Sequence, residues 1–174
     1  MTLWDLMETY LLEPIPAHLD ALRIAVMASP AYDPMISLHA LTAAAEGPSG
    51  TAEEVAARLE RDITSHMPGL LLSPRAHTLL GRSHRTLGRE ADAVREEKIA
   101  ALSFAGIRGE GDGGEAAPFE VLRVEDEYDV FSYSRLRPTG QVLRETDHGA
   151  FDVHTLEDGT EVWFRLLWRD AGTG

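Results

Sequence analysis

Between Gly106 and Pro118 the chain reads GIRGEGDGGEAAP, with five glycines (106, 109, 111, 113 and 114) inside nine residues. Glycine loses more conformational freedom on ordering than any other residue, so neither a helix nor a strand propagates through such a run. The run therefore divides the chain. Before it, apolar residues recur at helical spacing; after it, they alternate at the period of a strand. The pattern predicts an α+β protein, with an all-helical domain over residues 1–107 and a glycine-rich linker at 108–117. A small antiparallel β module at 118–168 and a disordered tail at 169–174 complete it.

Six helices are expected in the first part. Leu3, Leu6, Met7, Tyr10 and Leu11 form an apolar stripe over residues 2–12, which Glu13-Pro14-Ile15-Pro16 ends. A second helix covers 17–28 and stops at the two-proline turn Ser29–Pro34. A third covers 35–46 and stops at Gly47-Pro48-Ser49-Gly50. Thr51 with Glu54 three residues on is a capping box that opens a fourth, whose buried face is Val55, Leu59, Ile63 and Met67.

Ser73-Pro74 then supplies an N-cap and a first-turn proline. In the following segment Leu80-Gly81 is followed by Leu87-Gly88, then by Ala93 and Ala100. Over residues 74–107 this resembles a tetratricopeptide repeat. In that family the first glycine lets two antiparallel helices approach, the second closes the turn, and the alanines sit at the crossing. The resemblance is incomplete: His77, His84 and Glu97 stand where the family places bulky aromatics, and its closing proline is absent.

Beyond the glycine run, Phe119–Val124, Tyr128–Tyr133, Val142–Arg144, Ala150–His154 and Glu161–Leu166 read as strands, the last two joined by an Asp158-Gly159 hairpin turn. Gly111, Asp112, Gly113, Glu127, Tyr128, Phe151, Asp152 and Val153 give residues 73–168 a resemblance to a bacterial family of unknown function. In that family a tetratricopeptide-like hairpin precedes a Gly-Asp-Gly linker and a small β module. The resemblance implies architecture and bacterial origin, and no activity.

Charge and composition exclude several function classes. With 16 basic and 29 acidic residues the net charge is −13, which repels nucleic acid. Without cysteine there is no disulfide, thiol nucleophile, iron–sulfur cluster or cysteine zinc site. Asp5 and Glu8 occupy the place where a secretory segment is basic, and no apolar run is long enough for a membrane span. A cytoplasmic protein that contacts neither nucleic acid nor membrane is expected.

No catalytic motif, metal site or cofactor site is expected. The glycine run lacks the G-K-[ST] of a phosphate loop, and the acids at 125–129 lack calcium-loop spacing. His154 and Asp152 read as an exposed polar face of one strand. The reading is therefore a non-catalytic protein- or peptide-binding protein, a scaffold, an adaptor or an acidic immunity-type protein. It would hold a partner, basic in character, through a helical groove or an acidic aromatic face of the β module. The expected partner-binding residues are Glu125, Asp126, Glu127, Tyr128, Asp129, Phe131 and Trp163. The alternative is a metal-binding protein or enzyme using His77, His84 and Glu97 at the hairpin seam.

Overall fold

A computed structural model describes residues 1–47 and 50–170. Along them run α1 (Leu3–Leu12), α2 (Pro16–Met27), α3 (Leu38–Ala45), α4 (Ala52–Ser65), α5 (Pro74–Thr86) and α6 (Glu90–Arg108). There follow β1 (Phe119–Val121), α7 (Val124–Ser134), β2 (Pro138–Thr146), β3 (Gly149–Leu156), β4 (Glu161–Leu166) and α8 (Leu167–Asp170). The arrangement is α+β with the helices N-terminal. The chain divides into two compact units, one ending at Ser103 and the other beginning at Phe104, so the division falls inside α6.

In the first unit the predicted caps form. Thr51 accepts from the Glu54 N–H while the Glu54 carboxylate accepts from the Thr51 N–H, and Ser73 caps α5 at the Ala76 N–H. Leu38, Leu59, Ile63, Leu70, Ala76 and Leu80 form the core that α3, α4 and α5 share. α5 and α6 run antiparallel, since His77 meets Glu96 while Arg85 meets Glu90. At Gly81 an added Cβ would lie 3.3 Å from both the Ala93 carbonyl oxygen and Glu97 Cγ, so this glycine sets the approach of the two helices. Gly88 turns the chain between them at φ +72°, a conformation that side chains resist.

The second unit departs from the expected meander in two respects. Its sheet has the order β1-β4-β3-β2 and is mixed: β1 pairs parallel to β4, while β4–β3 and β3–β2 are antiparallel. The parallel pair exists because the segment read as a strand at 128–133 is helix α7, the crossover element. Its acids explain the difference. Glu125, Asp126 and Glu127 occupy the first helical turn, where free N–H groups favour negative charge. Asp126 Oδ2 accepts the N–H groups of Leu122 and Arg123 at 3.1 and 3.0 Å.

Both faces of the sheet bury side chains along β3 and β4, whereas β2 is exposed. Phe164 packs with Val130 and Phe131 of α7, while its neighbour Trp163 packs with Phe151 and Val153. The glycine-rich segment is ordered rather than a free linker: Asp112 and Gly113 N–H groups bond the Ala117 carbonyl, and Gly113 oxygen accepts the Trp163 N–H at 2.8 Å. Of the expected tail, Arg169 and Asp170 belong to α8, where Asp170 accepts from Arg165 Nε at 2.8 Å; 171–174 lie outside the described residues. Among the described residues no helix is long and apolar enough to cross a membrane.

Candidate functional site

Two places bring chemistry together, one in each unit. In the first, a groove of about 510 Å³ lies among α1, α4, α5 and α6. Its floor is apolar and buried, made by Met7, Leu71, Leu80 and Ile99. Trp4, 59% exposed, and Leu11 rise at the α1 side. Glu8, Glu60, Glu96 and Arg95 supply the charge.

The histidines of α5 both line this groove. His77 Nε2–H donates to the Leu71 carbonyl at 2.8 Å, and Nδ1 lies 2.6 Å from Glu96 Oε2. Both nitrogens thus face oxygen acceptors, the arrangement of an imidazolium against a carboxylate. Burial pushes the Glu96 carboxyl up, but His77, then Arg95, outweigh it and hold the group below its ordinary value. His84 Nδ1 is buried without a hydrogen-bond partner, 3.9 Å from Glu60. Glu97, expected at this seam, instead pairs with Arg85 at 2.6 Å on the exposed side. One residue along a helix is a rotation of about 100°, and it is Glu96 that faces inward.

The seven residues expected to form an acidic aromatic face do not form one. Asp126, Glu127, Asp129 and Phe131 are buried on α7, Glu125 is half-buried, and only Tyr128 is exposed, at 45%. Trp163 is buried too, on the sheet face opposite Phe164 and hence opposite α7. The acids lie inside because they serve the helix and its docking. Asp126 sits 3.5 Å from the fully buried Arg123 guanidinium. Burial raises Asp126 above the usual carboxylate range against the pull of Arg123 and the two N–H groups.

Glu127 leads to the second place. Its Oε2 lies 2.7 Å from His154 Nε2 on β3, and Asp152 stands two residues before on the same strand face. One donor atom from each of Glu127, Asp152 and His154 lies within 4.8 Å of the others. Gln141 of β2 donates to Asp152 Oδ2 at 2.6 Å. Phe131 and Phe164 wall the imidazole, with ring centroids at 4.8 and 5.6 Å. Burial pushes the Glu127 carboxyl up to about 7, and the His154 hydrogen bond only partly opposes it. The exposed polar face expected for Asp152 and His154 is thus an interior one. The sequence alone does not bring the triad together, because its members come from different elements and the 128–133 segment reads as a strand. The i, i+2 spacing of Asp152 and His154 was the one visible sign. Comparison of the chain with family models, with curated proteins and with solved structures finds no match.

Proposed function

We propose that the protein is a non-catalytic binder of a peptide segment, held in the groove of the helical unit. The observation that carries this reading is the groove itself: an apolar floor beside a largely exposed tryptophan, with three carboxylates among its charged groups. Exposed tryptophan at the edge of a desolvated pocket is a common binding anchor. The occupant that fits is an extended or helical segment with a large apolar side chain for the floor and a basic residue for Glu8. This commits the binding role to the groove, because five of the seven residues first expected to contact a partner are buried. A tetratricopeptide-like hairpin of α5 and α6, a bacterial cytoplasmic setting, and adaptor or immunity-type use of the groove belong to the same proposal.

Selection of random peptides against the whole chain tests it. The selected peptides should share an aromatic or long aliphatic residue near an arginine or lysine. Their binding should fall at least tenfold in Trp4→Ala and in Leu11→Glu and be unchanged in Tyr128→Ala. Peptides that bind all three variants equally would overturn the groove as the site.

A further inference from the structure

We propose that Glu127, Asp152 and His154 hold one divalent transition-metal ion, zinc in the first instance, which ties α7 to β3. The donor set is an imidazole and two carboxylates from two elements, with one atom of each within 4.8 Å of the others. Zinc takes such nitrogen and oxygen donors at about 2.0–2.2 Å, so a small inward movement of three side chains completes coordination. A fourth donor is present. Glu127 Oε1 is buried and has no hydrogen-bond partner, although Glu127 is fully buried. An orphaned carboxylate oxygen at such a position is costly, and an ion bound through both oxygens of Glu127 satisfies it.

Charge points the same way. Two carboxyl groups and an imidazole stand together among Phe131, Phe164 and Val130. A dication bound there would be charge-matched by the two carboxylates that ligate it. Gln141 holds one oxygen of Asp152, the outer hydrogen bond that metal-ligating carboxylates usually carry, and leaves the other free to ligate. Calcium and magnesium are poorer fits, since they favour all-oxygen shells of six or more. All three residues are at most 7% exposed, so the ion is structural and the reading of a non-catalytic protein stands beside it.

The experiment uses the whole chain, stripped with a chelator and dialysed against zinc, with metal counted by elemental analysis. One zinc per chain and a raised Tm are expected. Asp152→Asn and His154→Gln should weaken binding by more than about 100-fold, and Gln141→Ala, outside the shell and exposed, by about tenfold. His148→Gln, a surface histidine, should leave it unchanged. Zinc retained by the triad variants, or no zinc bound by the wild-type chain, would overturn the site. Should a triad variant not fold, X-ray absorption of the zinc-loaded wild-type chain decides. One imidazole with oxygen donors supports the site, and two or more imidazoles, the signature of surface histidines, overturn it.

Discussion

His77 and Glu96 form a buried pair, 2.6 Å apart, whose energetics depend on acid in a definite direction. The Glu96 carboxyl is held below its ordinary value of 4.5 in the folded chain. A carboxyl depressed on folding contributes stability above its unfolded value and loses it as pH falls through the folded value. The wild-type chain should therefore exceed Glu96→Gln by about 1–3 kcal/mol near pH 6. That advantage should shrink below about pH 4.5, as urea melts of both chains would read. A constant difference at every pH would show that the pair is not ionic. Arg123 gives a second test. With its guanidinium fully buried 3.5 Å from Asp126, Arg123→Met strands a carboxylate and should cost about 3–5 kcal/mol. Adding Asp126→Asn should recover part of this, because the amide oxygen still accepts the Leu122 and Arg123 N–H groups. A single variant as stable as wild type would refute the account. The sequence pointed to His77 but named Glu97 as its companion, because composition shows that two acids adjoin and only helical phase shows which one turns inward.

At the scale of elements, the helices were legible and one element of the second unit was not. Thr51 and Ser73 cap where their spacing said they should, since a cap is a local hydrogen bond that needs no tertiary context. The crossover helix was misread because Tyr-Asp-Val-Phe-Ser-Tyr alternates like a strand. The competing signal, three acids at a helix N-terminus, was assigned to the surface instead. A strand at this position would separate Glu127 from His154, whereas the helix brings them to 2.7 Å. The α5–α6 hairpin provides the element-scale prediction. Gly81→Leu drives a side chain into the Ala93 carbonyl and Glu97 Cγ at a distance already tight for Cβ, and should cost about 1–3 kcal/mol by overpacking. Gly88→Ala meets no atom within 4 Å, yet it forces φ near +72° on an alanine and should cost about 1–2 kcal/mol. Two losses of similar size thus have different origins. Larger side chains at position 81 should worsen the first progressively, whereas Gly88→Asn should soften the second because asparagine tolerates the left-handed region. Thermal melts of these variants would show it, and a Gly81→Leu chain as stable as wild type would remove the close-packed hairpin.

For the whole molecule, charge decides more than any one contact. The net −13 was read directly from the sequence, but where it is displayed was not, since Asp126, Glu127 and Asp129 are withdrawn into the second unit. The exposed field therefore comes from acids such as Glu8, Glu145, Asp147 and Glu157, spread over both units. A field of this kind acts on how fast a basic segment arrives, while apolar contacts in the groove govern how long it stays. Peptides selected for the groove should accordingly associate more slowly as salt rises from 0.1 to 1 M, where the screening length drops from about 10 Å to about 3 Å. Their dissociation rate should hardly change. Glu8→Lys should slow association at low salt and weaken its salt dependence, and duplex DNA at low salt should not bind at all. Stopped-flow fluorescence of the labelled peptide separates the two rates. If salt accelerated dissociation and left association untouched, specific ion pairs inside the groove would hold the peptide, and the acidic surface would have no part in its capture.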